Sequence, residues 1–192
     1  MELNLTNVIY LFMRLSPLII VGYFLLQSLF DSSVKGLFYL AGLTITLVVT
    51  ILASRINIFK PDADSDTLSS MCKGITLGNG PVSYLPLSQA TLVYTFAYLL
   101  TIISKYNTWS INMGTLVLFG ILIFTDLIWN IKEGCMSLIP SGIATWIIAG
   151  VIGLFWTRYL LNTGYDITFF HGVSDANVCK MNNSNFRCRL KK

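Results

Sequence analysis

The segment Gly78–Ser104, GNGPVSYLPLSQATLVYTFAYLLTIIS, determines how the rest of the chain is interpreted. From Leu85 onward it is uncharged and nearly long enough to cross a bilayer, and Pro86 suits the first turn of a helix, where no amide donor is needed. Hydroxyl side chains recur on one face of this helix at steps of three and four residues: Ser88, Thr91, Thr95 and Tyr98. In lipid such a stripe turns toward other helices or a wet cavity. We therefore predict that this helix is the central one of a bundle.

The composition indicates an integral membrane protein. Of the 192 residues, 54% are hydrophobic and 11% are charged, whereas roughly a quarter of the residues in a soluble domain are charged. The basic excess collects near the C-terminus and forms no aromatic-lined basic groove, so no nucleic-acid partner is expected. His171 is the single histidine and the four cysteines have no CxxC spacing, so neither a metal site nor another cofactor is expected.

We predict an all-α polytopic bundle of about five transmembrane spans over residues 1–163, followed by a polar, basic tail at 164–192. The spans are placed at about 11–30, 37–54, 86–104, 112–130 and 138–157. The first apolar run lacks a small-residue cleavage site after it, so it is interpreted as a retained span rather than a signal peptide. Small residues on one face of the fifth span would let another helix approach closely: Gly142, Gly150 and Gly153.

Five spans place the N-terminus and the loop 57–84 on one side of the membrane and the tail on the other. Lysine and arginine are more numerous on the tail side, which favours a cytoplasmic tail. Cys72 and Cys135 share the first side, where a disulfide would form in an oxidising compartment, and four unrelated thiols are the alternative. The glycosylation sequons at Asn4 and Asn182 fall on opposite sides, so at most one can be used.

Asp126, near the end of the fourth predicted span, has two interpretations. A carboxylate inside a span is costly unless it is paired, and Asp126 shares a helix face with Trp129 and Asn130. In the other interpretation the span ends at Phe124 and Asp126 lies among the lipid headgroups. The sequence leaves both open.

Three short segments fall at one predicted membrane face: Lys60-Pro61, Pro86–Ala90 and Thr125–Lys132. They resemble the motifs KxxxxxxRP, PSGH and SRxxxxxHxxxD of the PAP2 family of lipid phosphatases and phosphotransferases. The resemblance covers about residues 37–157. It implies a shortened PAP2-like arrangement of helices.

The family's catalytic side chains have no counterparts at the matching positions. In the family, a histidine of the third motif attacks phosphorus, the PSGH histidine protonates the leaving group, and lysine and arginine hold the phosphate. The matching positions here hold Lys132, Gln89, Ala53 and Asp126, in that order. Acid–base catalysis near neutral pH needs a group such as histidine. The resemblance therefore implies a degenerate member that is not an enzyme.

Three functions follow as hypotheses. The first is a non-catalytic structural or scaffolding protein that contacts membrane lipids, and membrane or capsid-type proteins through the loop 57–84 or the tail 164–192. Histidine-free bundles of this size resemble membrane proteins of large DNA viruses, which implies a host endomembrane or a virion membrane. The second is a lipid-headgroup binder with a polar vestibule formed by Lys60, Ser88, Gln89, Asp126, Asn130 and Lys132. The third is an active lipid phosphatase or phosphotransferase.

Overall fold

The computed structural model describes residues 5–30, 34–56, 76–77, 80–81, 83, 85–132, 141–164, 179–182 and 185–188. Within these ranges the chain forms five helices: α1 (Leu5–Phe30), α2 (Lys35–Ala53), α3 (Leu87–Tyr106), α4 (Trp109–Lys132) and α5 (Ile143–Asn162). Two short antiparallel hairpins accompany them: β1 (Thr76–Leu77) with β2 (Gly80–Pro81), and β3 (Cys179–Asn182) with β4 (Asn185–Cys188). The predicted helical bundle is confirmed.

Four helices in the described part of the chain, α2 to α5, are long and apolar enough to cross a membrane. In α1 the apolar part is Leu15–Phe30, which is shorter than the roughly 20 residues that a span needs, so a first span there stays a prediction. Large apolar side chains cover the outer faces of the helices, as at Leu37, Ile121 and Phe155. These features indicate an integral membrane protein.

Helix α3 lies at the centre of the bundle, as its hydroxyl stripe predicts. It contacts each of the other helices and is the most buried of the four candidate spans. Thr95 and Tyr98 are fully buried, and Thr91 is nearly so. Its hydroxyl stripe therefore faces the protein interior, where Thr91 and Thr95 donate to carbonyl groups of their own helix.

A cluster of aromatic rings joins α1, α2 and α3 at this centre. The Tyr39 ring lies 4.7 Å from Phe24, 5.6 Å from Tyr94 and 5.4 Å from Tyr98, between ring centroids. The Tyr39 hydroxyl lies 2.7 Å from Thr95 Oγ1. Because the Thr95 hydroxyl donates to its own helix at the Thr91 carbonyl, Tyr39 is the donor. The Tyr94 hydroxyl donates to the Tyr39 carbonyl at 3.1 Å, so α3 and α2 are linked twice.

Small residues set the spacing between α2, α3 and α5. Gly42 of α2 lies against the Tyr94 hydroxyl and the Trp156 indole. Trp156 Nε1 donates to the Phe38 carbonyl at 2.9 Å, which links α5 to α2. On α5, a Cβ added to Gly153 would lie 3.0 Å from the Tyr94 carbonyl oxygen, so the two backbones approach closely there.

Several helix ends differ from the predicted spans. Helix α5 runs from Ile143 to Asn162 rather than over 138–157, and residues 138–140 lie outside the described part. It continues past Arg158 because that side chain is exposed and can extend to water or headgroups. Helices α1 and α4 also extend beyond the predicted 11–30 and 112–130, since polar residues at a span end do not stop a helix. Between α3 and α4, Asn107 adopts a left-handed conformation with φ of 52°, which ends α3.

Replacing Tyr94 with phenylalanine tests the link between α3 and α2. The variant loses the hydroxyl that donates to the Tyr39 carbonyl but keeps the ring, so we expect a loss of about 1 kcal/mol in the free energy of unfolding. An SDS titration in mixed micelles measures it. The matched control is Tyr159→Phe, because Tyr159 is exposed and its variant should unfold like the parent. Equal stabilities for the two variants would show that the hydrogen bond contributes nothing.

Candidate functional site: a buried polar corner

Polar side chains from three helices meet at one end of the bundle. The first turn of α3 supplies Ser88 and Gln89, and the final two turns of α4 supply Asp126 and Asn130. The first turn of α5 adds Trp146. They meet because α4 ends where α3 and α5 begin. We call these five residues the polar corner.

The centre of the polar corner is the carboxylate of Asp126, which is only 5% exposed. Its Oδ2 accepts hydrogen bonds from Ser88 Oγ at 3.1 Å, Gln89 Nε2 at 2.9 Å and Asn130 Nδ2 at 2.9 Å. A buried carboxylate is tolerated when it is hydrogen-bonded in this way. Helix α4 continues past Phe124 to Lys132, with Asp126 facing inward, and the depth at which the fourth span leaves the membrane stays a prediction.

Gln89 connects the three helices and is fully buried. Its Nε2 donates to Asp126 and also to the Ile123 carbonyl at 3.0 Å, both on α4. Its Oε1 accepts from Trp146 Nε1 of α5 at 2.8 Å. Because an indole nitrogen can only donate, this contact fixes which end of the amide faces α5. Both N–H groups and the carbonyl oxygen of the Gln89 side chain therefore have partners.

The position of Asp126 also has an electrostatic consequence. Its carboxylate lies against the first turn of α3, where backbone N–H groups lack partners within the helix and carry partial positive charge. A negative charge at such a helix end is stabilised by about 0.3–1 kcal/mol, and by more where it is partly buried. The contacts of Asp126 with the Ser88 and Gln89 side chains hold its carboxylate beside this end of α3.

Other residues predicted for the vestibule lie at the edge of this site or beyond the described part. Lys132 is exposed at the end of α4, with its Nζ 5.4 Å from the centre of the Trp129 ring. Lys60 lies outside the described residues, as do Cys72 and Cys135 of the predicted disulfide. The structure thus brings Ser88, Gln89, Asp126 and Asn130 together. Whether they bind a headgroup stays a prediction.

The three predicted packing glycines take different places along α5. Gly142 is buried directly before the helix. Gly150 faces Val93 of α3, at an ordinary packing distance of 3.9 Å from an added Cβ, and Gly153 lies in the tighter contact described above. The backbones of α5 and α3 therefore approach each other more closely at Gly153 than at Gly150.

The sequence interpretation missed Trp146 as a member of the polar corner. A tryptophan inside an apolar helix is itself a signal, because a buried indole N–H usually has an acceptor. What the sequence does not show is that this acceptor is Gln89, which lies 57 residues earlier in the chain. Within the described ranges, no group of three or more histidine, cysteine or acidic residues is arranged to hold a metal ion.

Comparisons of this chain with protein-family models, with curated proteins and with solved structures found no match. The PAP2-like resemblance stays a prediction that these comparisons do not test.

Proposed function

We propose that this chain is a non-catalytic, multi-pass membrane protein with a structural or scaffolding role, in a host endomembrane or a virion membrane. One observation supports this most: the side-chain amide of Gln89 is fully buried and fully hydrogen-bonded. A side chain held in this way connects helices and offers no position to a substrate. The polar corner then serves to fix α3, α4 and α5 relative to one another.

The chemistry of these residues also supports a role without catalysis. If the arrangement is a degenerate PAP2-like one, Gln89 stands at the position of the acid that protonates the leaving group, and an amide has no proton to give near neutral pH. Asp126 stands at the position of a phosphate-binding cation. Its negative charge would repel a phosphate rather than hold it.

A lipid-headgroup site receives less support from the same contacts. An anionic headgroup would meet the charge of Asp126 at the first turn of α3. An amine-bearing headgroup would have to reach a carboxylate that is 5% exposed and displace Gln89 or Asn130 from it. The first route costs electrostatic repulsion, and the second costs hydrogen bonds that the folded protein already makes.

In the scaffolding role, the basic end of the tail supplies a contact surface. Arg187, Arg189, Lys191 and Lys192 would attract an acidic partner protein. Deletion of residues 181–192 should then reduce co-purification of partner proteins. Co-purification that survives the deletion would exclude the tail from this role.

A paired assay on one preparation tests the proposal against its alternatives. The full chain, reconstituted in vesicles containing phosphatidic acid, is expected to release no more phosphate than protein-free vesicles, while an unrelated active lipid phosphatase does. Native mass spectrometry is expected to show the same lipid retention for the parent and for Asp126→Asn, which keeps the shape of the side chain but removes its charge. The measured quantities are phosphate released and lipid bound per chain.

Two outcomes would overturn the proposal in distinguishable ways. Phosphate release that disappears in Ser88→Ala or Lys132→Ala would establish an enzyme. If no variant releases phosphate but Asp126→Asn retains less lipid than the parent, the chain is a headgroup binder instead. Lys105→Ala is a suitable control, because Lys105 is exposed at the far end of α3.

A further inference from the structure

The tail contains two cysteines that lie opposite each other in an antiparallel hairpin. In the register of β3 and β4, Cys179 pairs with Cys188. Directly opposite Cα atoms in such a pair are about 4.5–5.5 Å apart, and a disulfide spans Cα atoms that are about 4.4–6.8 Å apart. The backbone register alone therefore brings the two cysteines to bonding distance.

The remaining pairs of this hairpin provide little stability. Lys180 stands opposite Arg187, and like charges directly opposite each other destabilise a ribbon. Met181 opposite Phe186 is the one apolar pair in this register. An isolated two-stranded ribbon is marginal in water even with favourable pairs. A covalent link between the first and last residues would supply the missing restraint, because it limits the unfolded conformations of the segment.

We propose that Cys179 and Cys188 form an intrachain disulfide that closes the β3–β4 hairpin. In this step both S–H bonds break and one S–S bond forms, which releases two protons and two electrons. The acceptor is the disulfide of a thiol–disulfide oxidoreductase, whose own S–S bond breaks to give two thiols. The inference does not depend on the proposed function, because it concerns the tail alone.

The disulfide has a consequence for topology. Such bonds persist in oxidising compartments, so the tail lies on the lumenal or external side, opposite to the side that the lysine and arginine count predicts. That count constrains the topology weakly, because its contrast shrinks when only charges near the span ends are weighed. Since α5 separates Cys135 from the tail, Cys72 and Cys135 then face the reducing side. The Asn182 sequon lies on the side where glycosyl transfer takes place.

Thiol trapping in intact cells tests the bond. The full chain carrying Cys72→Ser and Cys135→Ser keeps only the tail pair, and free thiols are blocked with N-ethylmaleimide before lysis. After reduction, maleimide-polyethylene glycol is expected to shift the apparent mass of nearly every chain on a gel by two additions. Without reduction, no addition is expected. On a non-reducing gel the chain should run as a monomer. A further Cys179→Ser change should abolish the shift, because the remaining thiol is blocked in the cell.

A register control separates a specific pair from mere proximity. Moving one cysteine by a single position, with Cys188→Ser and Arg187→Cys, places the two residues on opposite faces of the ribbon. The oxidised fraction is then expected to fall at least several-fold. The proposal is overturned if N-ethylmaleimide blocks Cys179 and Cys188 in the cell, or if the non-reducing gel shows a disulfide-linked dimer. It is also overturned if the register variant, with Arg187→Cys and Cys188→Ser, is oxidised as fully as the original pair.

Discussion

Gln89→Leu is expected to lower the free energy of unfolding by about 2–5 kcal/mol, one of the two largest effects that the structure predicts. The substitution keeps the volume nearly constant but removes every hydrogen bond of the side-chain amide. Trp146 Nε1 loses its acceptor and the buried Asp126 loses one of its donors. An SDS titration in mixed micelles, followed by circular dichroism, measures the loss. Ser88→Ala is the matched control: it also removes one donor to Asp126, but at a partly exposed position, and should cost about 1 kcal/mol or less.

A double-mutant cycle shows whether the loss comes from the polar corner itself. Trp146→Phe removes the indole N–H that Gln89→Leu leaves without an acceptor. The double variant should therefore be more stable than the sum of the single losses implies, with a coupling of about 0.5–3 kcal/mol. Additive losses would mean that the two side chains do not act on each other, and the proposed structural role of the corner would lose its main support.

Gly42→Ala is expected to destabilise the bundle by about 1–3 kcal/mol, although alanine is the better helix former. The added Cβ collides with the Tyr94 hydroxyl and the Trp156 indole. Neither can move without breaking a hydrogen bond to α2, at the Tyr39 and Phe38 carbonyls. The same substitution should also separate α2 from α5, because both side chains bridge to α2. Thermal unfolding in detergent and the SDS titration report the change.

Gly114→Ala is the control for this substitution. It makes the same chemical change in α4, where an added Cβ has nothing within 4 Å, and it should leave stability unchanged or raise it by up to about 1 kcal/mol. A second check combines Gly42→Ala with Tyr94→Phe, which removes one colliding atom and should recover part of the loss. If Gly42→Ala and Gly114→Ala behave alike, the close contact between α2, α3 and α5 does not limit stability.

The sequence alone determined which segments form the bundle and which helix lies at its centre. Apolar runs of span length identify α2 to α5, with Asp126 in α4 as the one charged residue within the four predicted spans, because no soluble core of this chain would need so many consecutive apolar residues. The steps from Ser88 to Thr91, Thr95 and Tyr98 put hydroxyls on one face of α3, and in lipid that face has to point inward. The burial of Thr95 and Tyr98 follows from this rule.

Only the tertiary structure decided which partners these inward faces meet. The spacing of Asp126 and Asn130 places them on one face of α4 but leaves open the depth of the carboxylate and the donors that reach it. Gln89 and Trp146 are 57 residues apart in the chain, and helical periodicity carries no information about contacts between distant helices. The importance of Gly42 was hidden for the same reason, since a glycine in an apolar helix matters only when another helix fills the space beside it. Local pattern fixed the faces of the helices, and packing fixed their neighbours.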